Sequence, residues 1–279
     1  MSTPPIANQQ LKVLEKNDVY EDSDEGFHFA ATLVVYQLNG HLYHAKLKSR
    51  HSTNINPEDL ENITRIPFSA YNPEFSSEFT PVPKTLPDGL YVKKPFLITW
   101  DRISQGPRPN MIAEDVLKEA RIYELLLQSP HPNIATYLGC QVDDGTITGL
   151  CLKKYSHTLM KEVNPRALTK TALRSTLKPG KDYSSILADI ENGIRHLHTL
   201  GLAHNDINPS NIMLDDDRAI IIDFGSCRNS RESLEDVGRT YGWYDGKVQQ
   251  TLPENDLAAL EEIRIWIGAS SEPFQFEPR

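Results

Sequence analysis

The chain has 279 residues, 39% of them hydrophobic, and a formal net charge of -9. This length suffices for one large domain or two small lobes, and the acidic balance argues against a general nucleic-acid binder. The three cysteines lack metal-ligand spacing, and no apolar run reaches membrane-spanning length. We therefore expect reduced thiols, no membrane association and a cytoplasmic or nuclear location.

The N-terminal third alternates between polar and strand-forming segments. Residues 1–24 are polar and acidic and predict a mobile tail. Two apolar runs then flank Asn39-Gly40, which predicts a β-hairpin. Nine of the 19 prolines lie between Pro57 and Pro109, so this stretch should be mostly extended or looped. Within it, residues 89–100 (GLYVKKPFLITW) predict a strand interrupted or closed by Pro95.

Two later segments have the periodicity of amphipathic helices. Apolar residues recur at helical spacing over residues 111–128 and again over residues 186–197. Between them, short apolar runs around residues 134–142 and 147–152 predict two strands joined by a turn. Helices and strands therefore mix along the chain, as in an α+β protein.

The segment HNDINPSNIMLDDDRAIIIDFG (204–225) carries the most specific chemical signal. Its runs IML and AIII predict two short strands joined by the acidic turn DDD, which would place Asp206, Asn211 and Asp223 at one end of a hairpin. Carboxylate and amide oxygens suit Mg²⁺. Phosphoryl transfer needs such an ion and a separate group that orients the acceptor hydroxyl. The segment therefore predicts phosphoryl transfer from a magnesium-bound nucleotide.

The same segment resembles the signature of the eukaryotic protein kinase superfamily, H-R-D-L-x-x-x-N followed by D-F-G. His204-Asn205-Asp206 with Asn211, and then Asp223-Phe224-Gly225, match it in order. The phrases GLAHNDINPSNIM, HPNIATYLGC and PENDLAALEEIR look closest to divergent fungal protein-kinase-like proteins.

This resemblance implies an α+β, bilobal protein-kinase-like fold. It implies a β-rich N-lobe with a proline-rich insertion over residues 25–153, kinase-like from about residue 88, and a shortened, mostly α-helical C-lobe over residues 154–279. GRTYGW (238–243) looks like the end of an activation segment. ENDLAALEEIRIWI looks like the buried helix of the large lobe, with Asp256 as its anchoring aspartate.

The resemblance also implies ATP and Mg²⁺ (or Mn²⁺) as cofactors. Asp206 would then be the catalytic base, and Asn211 and Asp223 the metal ligands. In LKEARIYELL, which looks like the regulatory helix, Glu119 is the expected ion-pair glutamate.

Two adjacent lysines compete for the role of the ATP-binding lysine in the strand that contains GLYVKKP. The family pattern V-A-I-K places apolar residues one and three positions before this lysine. Val92 and Leu90 satisfy that pattern for Lys93, whereas Lys94 would follow another lysine. We therefore choose Lys93 and keep Lys94 as the alternative.

Several residues depart from the family pattern. No G-x-G-x-x-G precedes Lys93, and no A-P-E triplet follows GRTYGW. Asn205 stands where most members have arginine, and Asn208 where serine/threonine kinases carry a lysine. These departures predict slow phosphoryl transfer, at a rate that does not depend on phosphorylation of the activation segment.

Three functions remain open from the sequence. The first is a protein kinase that transfers the ATP γ-phosphate to serine or threonine hydroxyls of a protein substrate that the sequence does not identify. The second is a small-molecule phosphotransferase, because related enzymes share H-x-D-x-x-x-x-N and often lack the glycine triplet. The third is a pseudokinase that acts as a nucleotide- or protein-binding module. D-F-G and HPNIATYLG favour the first.

Overall fold

The computed structural model describes residues 11–23, 26–50, 55–83, 85, 88–177 and 182–276. The chain forms two compact units, each assembled from separate stretches of sequence. The first unit contains the residues up to Ser76 together with Lys94–Leu117 and Val142–Gly149. The second contains Ser77–Lys93, Lys118–Gln141 and the residues from Leu150 onward. The predicted lobe boundary at 153/154 falls within the second unit and stays a prediction.

The first unit is built on an antiparallel four-stranded sheet with the order β1-β2-β3-β4. Its strands are β1 (Lys12–Ser23), β2 (Gly26–Leu38), β3 (His41–Leu47) and β4 (Glu61–Arg65). Asn39 and Gly40 join β2 to β3 with φ values of 51° and 78°, the left-handed pair that a tight two-residue hairpin turn requires. The hairpin predicted from these two residues is confirmed.

The tail prediction is wrong over residues 12–23, while residues 1–10 and 24 lie outside the described residues. β1 pairs with the apolar strand β2 along its length, so backbone hydrogen bonds fix a segment whose side chains are mostly polar. Its Glu15 carboxylate also accepts hydrogen bonds from the backbone N–H groups of Leu97 and Ile98 at 2.7–2.9 Å. An acidic residue typical of a solvated tail is thus bound inside the unit.

The proline-rich stretch is mostly extended or looped, as predicted, but it contains more regular structure than expected. It includes β4, strand β5 (Leu90–Lys93) and helix α1 (Trp100–Ser104). The strand predicted over residues 89–100 is therefore too long. It ends before Pro95, and Trp100 begins a helix whose indole packs in the core of the first unit.

Helix α2 (Met111–Gln128) and the strands β6 (Tyr137–Asp143) and β7 (Thr146–Lys153) confirm the next three predicted elements. The strands form a sheet with the order β5-β7-β6. In it β5 pairs antiparallel with β7, and Lys93 lies opposite Leu150.

In the rest of the second unit, helices contain more residues than strands do. Its helices are α3 (Leu159–Val163), α4 (Lys170–Thr176), α5 (Ser184–Thr199) and α6 (Pro253–Trp266). Its short strands are β8 (His157–Thr158), β9 (Leu202–Ala203), β10 (Ile212–Asp215), β11 (Arg218–Ile221) and β12 (Arg228–Asn229). The predicted α5 is confirmed, whereas α3 and α4 are too short to show a clear apolar period.

Strands β10 and β11 form the hairpin predicted from IML, DDD and AIII. Helix α5 packs on it at Gly193, where a Cβ atom would lie 2.8 Å from Ile221 Cδ1 and 3.0 Å from the Asn133 carbonyl oxygen, so a larger residue would require its neighbours to shift. The Asn133 side chain donates a hydrogen bond to the Ala219 carbonyl at 2.9 Å. The hairpin is thus held from two sides. Along the described residues, no helix has the length and apolar character needed to cross a bilayer.

Candidate active site

A three-residue ionic cluster lies at the end of β5. The Lys93 ammonium donates hydrogen bonds to both Glu119 carboxylate oxygens, at 2.6 and 2.8 Å, and to Asp223 Oδ1 at 2.8 Å. We call Lys93, Glu119 and Asp223 the ionic cluster. The neighbouring Lys94 ammonium instead donates to the Thr148 carbonyl at 2.5 Å. The structure therefore pairs Lys93, not Lys94, with Glu119.

Burial and charge act in opposite directions on the ionic cluster. Burial alone would lower the pKa of Lys93, but the carboxylates of Glu119 and Asp223 raise it well above its usual value. Burial raises the pKa of Glu119, whose side chain is 8% exposed. Burial also acts to raise the pKa of Asp223, but Lys93 outweighs it and holds that pKa below its usual value. Lys93 and Asp223 are therefore charged at neutral pH.

The backbone around Asp223 fixes its place in the cluster. Asp223 follows β11 with a φ of 65°, a left-handed conformation that aspartate tolerates better than most residues. The next residue, Phe224, is fully buried, and its N–H donates to Glu119 Oε1 at 3.2 Å. Its ring meets Tyr123 and His204 edge to face, at centroid distances of 5.3 and 5.2 Å. Packing of Phe224 thus holds Asp223 beside Lys93.

A second cluster surrounds Asp206. Its Oδ1 accepts from the Thr240 N–H at 2.7 Å, and its Oδ2 accepts from Asn211 Nδ2 at 2.9 Å and from Thr240 Oγ1 at 3.1 Å. Asn208 Nδ2 donates to the Asp206 carbonyl at 3.1 Å and to Thr240 Oγ1 at 3.0 Å. We call Asp206, Asn208, Asn211 and Thr240 the amide cluster.

Thr240 is the member of this cluster that our sequence reasoning missed. It lies 34 residues beyond Asp206, so no local spacing connects the two residues. Its position in GRTYGW, the segment that resembles the end of an activation segment, is the signal that could have identified it.

The buried carboxylate of Asp256, in α6, anchors the loop that carries Asp206. It accepts hydrogen bonds from the backbone N–H groups of His204 and Asn205, both at 2.8 Å, and it lies 3.0 Å from His198 Nε2. Asn205 Nδ2 in turn donates to the carbonyl of Ser226 at 3.2 Å. Asn205, the residue at the usual arginine position, is therefore buried, and its neutral side chain donates to backbone carbonyls.

The β10–β11 hairpin brings the two clusters to one end of a single sheet. Ile212 pairs with Ile221, so Asn211 just before β10 and Asp223 just after β11 lie at the same end. The Ile222 N–H also donates to the Asn211 carbonyl at 3.0 Å. Strand pairing thus connects residues that are separated along the chain.

A cavity of about 350 Å³ adjoins the ionic cluster. Lys93 and Asp223 line one part of it, and the rest is largely apolar and aromatic. The other lining residues are Tyr91, Tyr123, Ala135, Leu152, Lys153, Lys154, Tyr155, Met213 and Ile222. A pocket with apolar walls and a few charged groups is typical of small-molecule sites.

The donor set near this cavity fits a magnesium–nucleotide complex. Within the described ranges, no group of three or more His, Cys, Asp or Glu side chains is placed to hold a metal. Mg²⁺ commonly takes one or two protein oxygens and completes its shell with water and phosphate. Asp223 offers a carboxylate, and Asn211 offers its Oδ1 because its NH₂ group faces Asp206.

Comparison with known proteins identifies the family. The protein kinase domain matches residues 102–246, just over half of the chain. This range contains Glu119, Asp206, Asn211 and Asp223 and begins after Lys93. The chain therefore belongs to the protein kinase family. The predicted fold class, α+β and protein-kinase-like with a β-rich N-terminal region and a mostly helical C-terminal part, is confirmed.

Individual relatives resemble only part of the chain. Serine/threonine-protein kinase/endoribonuclease IRE1 of Hypocrea jecorina is 34% identical over 44% of this chain and 10% of its own length. Serine/threonine-protein kinase Tao of Drosophila melanogaster is 30% identical over 48% of this chain and 13% of its own length. Probable serine/threonine-protein kinase irlD of Dictyostelium discoideum is 34% identical over 32% of this chain and 6% of its own length. The chain thus spans a small part of these proteins, which come from a fungus, an animal and a slime mould, and its predicted closeness to fungal proteins stays a prediction.

Proposed function

We propose that this protein is an ATP-dependent protein kinase that transfers the γ-phosphate to serine or threonine hydroxyls of a protein substrate. One observation carries the proposal: the Lys93 ammonium lies between the carboxylates of Glu119 and Asp223, beside a cavity of about 350 Å³. A partly buried lysine held by two acids has a fixed position and a permanent charge, as a phosphate-binding group requires.

The cavity and residues of both clusters would bind different parts of the magnesium–ATP complex. The apolar and aromatic part of the cavity would take the base, and Lys93 would meet the phosphates. Asn211 and Asp223 would hold Mg²⁺, whose charge offsets that of the phosphate oxygens. Glu119 acts indirectly, because its two hydrogen bonds orient the Lys93 ammonium.

Asp206 is the proposed general base. The acceptor oxygen bonds to the γ-phosphorus, the bond from that phosphorus to the ADP oxygen breaks, and the hydroxyl proton goes to Asp206. The hydrogen bonds from Thr240 and Asn211 fix the orientation of the Asp206 carboxylate. The amide cluster thus orients the base, and none of its four side chains is cationic.

We expect the transfer to be slow. Asn208 stands where serine/threonine kinases have a lysine, and its amide is used to join Asp206 to Thr240. By analogy with oxyanion-hole donors, the loss of one charge-stabilising donor costs about 2.7–4 kcal/mol, or roughly 100- to 1000-fold in rate.

The test is incubation of the protein with γ-labelled ATP, Mg²⁺ or Mn²⁺ and a cell lysate, followed by acid hydrolysis of the labelled products. A protein kinase gives labelled phosphoserine or phosphothreonine with the wild type and none with Asp206→Asn. Label in a small molecule would indicate the second function of the sequence analysis. Equal background in both proteins with ATP binding preserved would leave a binding module and overturn the proposal.

A further inference from the structure

A second lysine that is largely shielded from solvent lies outside the ionic cluster. Lys170, the first residue of α4, has a side chain that is 10% exposed, and it pairs with Glu262 of α6, whose side chain is fully buried. The Lys170 ammonium also donates to the carbonyl oxygen of Gly242 and, at 3.4 Å, to that of Phe276. It lies 4.2 Å from the centroid of the Trp243 ring. These partners come from three parts of the second unit: helix α6, the segment 242–243 and the residue Phe276.

Stability alone is a weak reason for this arrangement. A buried ion pair loses the hydration of both charges, so an apolar pair of similar volume often folds as well. Its better-attested use is to select one arrangement of the chain. The partners of Lys170 indicate which arrangement: Gly242 and Trp243 belong to the segment that follows Thr240.

The segment 240–243 is held at both ends. At one end, Thr240 binds the Asp206 carboxylate through its N–H and its hydroxyl. At the other end, Lys170 binds the Gly242 carbonyl, and the buried Trp243 packs edge to face on Trp266 of α6 at 5.7 Å. Tyr241, between these two anchors, is 69% exposed. A fixed backbone therefore presents an exposed side chain directly beside the proposed base.

Tyr241 and Gly242 of this segment lie in one wall of an open groove of about 460 Å³. Residues 244–247 continue that wall, and Gln275 and Phe276 form the rest of the lining. The Gln275 N–H donates to Glu262 at 2.8 Å, and the Phe276 carbonyl accepts from Lys170. The same ion pair thus holds both walls of the groove.

We propose that Lys170 is a positioning residue for the protein acceptor. It holds both walls of the groove in which the acceptor polypeptide lies next to Asp206. This inference rests on the proposed kinase function and assigns a role that nucleotide binding does not need. Lys170 acts through Gly242 and Phe276 and takes no part in the chemical step.

The experiment separates transfer to protein from transfer to water. Dephosphorylated casein serves as the acceptor protein, and phosphate release without casein measures ATP hydrolysis. Lys170→Met alone leaves Glu262 buried without its cation, so the Lys170→Met/Glu262→Met double variant replaces the pair by apolar side chains. We expect the double variant to raise the KM for casein by about 10-fold, with the KM for ATP and the hydrolysis rate within about two-fold of wild type.

Arg174→Met is the matched control. Arg174 lies one turn further along α4 and donates to the carbonyls of Ser271 and Glu272, but it is not a partner of Gly242. This variant should leave the KM for casein unchanged. An unchanged KM in the double variant would overturn the inference, and so would a parallel loss of hydrolysis and casein transfer. If the wild type shows no transfer that depends on Asp206, the proposed function fails and the inference fails with it.

Discussion

The ionic cluster and the amide cluster differ in how they use charge. Lys93 meets two carboxylates in the ionic cluster, whereas Asp206 receives hydrogen bonds from neutral amides and a hydroxyl in the amide cluster. A positively charged side chain thus lies where phosphates would bind, and the cluster around the proposed base is formed with neutral donor side chains. The structure thus supplies a charged group for nucleotide binding but only neutral groups around the base for phosphoryl transfer. We therefore expect tight ATP binding together with slow turnover.

Substitution of Lys93 should have the largest effect on ATP binding. Lys93→Met removes the cation between Glu119 and Asp223, and hydrogen bonds to charged groups contribute about 1.5–3 kcal/mol each, so ATP affinity should fall roughly 100-fold. Lys94→Met is the matched control and should change affinity less than about two-fold, because the Lys94 ammonium donates to the Thr148 carbonyl and not to the ionic cluster. Calorimetric titration with Mg²⁺ and ATP measures both.

Lys93→Met leaves Glu119 buried without its cation, which can cost about 3–5 kcal/mol of stability. The Lys93→Met/Glu119→Gln double variant removes that charge as well, so its melting temperature distinguishes lost binding from lost fold. A larger loss of ATP affinity in Lys94→Met than in Lys93→Met would move the nucleotide site away from the ionic cluster.

Substitution of Tyr91 separates the contribution of the nucleobase to ATP binding from the contribution of the phosphates. Tyr91 lines the cavity and is 51% exposed, so its ring is available to stack on a base. Stacking of a base on an aromatic ring contributes about 1–3 kcal/mol, and Tyr91→Ala should therefore weaken ATP about 10-fold. Tyr91→Phe keeps the ring and should bind like the wild type. Binding of inorganic tripolyphosphate should be equal in all three proteins, and tighter ATP binding by Tyr91→Ala would show that the ring blocks the site.

The smallest expected effect concerns phosphorylation of the protein itself. Gating of a kinase by its activation segment pairs a phosphate with arginines that include the one before the catalytic aspartate. Asn205 occupies that position and bonds the Ser226 carbonyl, so it has no charge to pair. Phosphatase treatment should leave the transfer rate unchanged, and a rate that falls after treatment would contradict the view that Asn205 removes this form of gating.

The sequence was informative where contacts are local or spacing is regular. The period of α2 and α5, the Asn39-Gly40 turn and the β10–β11 hairpin were predictable because each depends on residues close together in the chain. The choice of Lys93 over Lys94 followed instead from the family pattern, because Val92 and Leu90 supply the apolar residues one and three positions before the lysine.

The rest depends on contacts that no local pattern reveals. β1 forms because it pairs with β2, and Glu15 bonds a backbone about 80 residues away. Thr240 meets Asp206 across 34 residues, and Lys170 meets Glu262 across 92. In the sequence, these side chains look like ordinary surface residues, and only the folded chain brings them to their partners.

The most direct test compares Asp206→Asn with Asp223→Ala in two measurements on the same samples: the Kd for ATP with Mg²⁺, and the rate of labelled phosphate transfer to casein. The account predicts that Asp206→Asn keeps the Kd within about two-fold and lowers the rate about 10²- to 10⁴-fold, the usual contribution of a general base. Asp223→Ala should lose both ATP binding and phosphate transfer, because Asp223 belongs to the ionic cluster. Two results would contradict the assignment of nucleotide binding to the ionic cluster and of the transfer step to Asp206. One is transfer by Asp206→Asn at the wild-type rate, and the other is a loss of ATP binding in Asp206→Asn as complete as in Asp223→Ala.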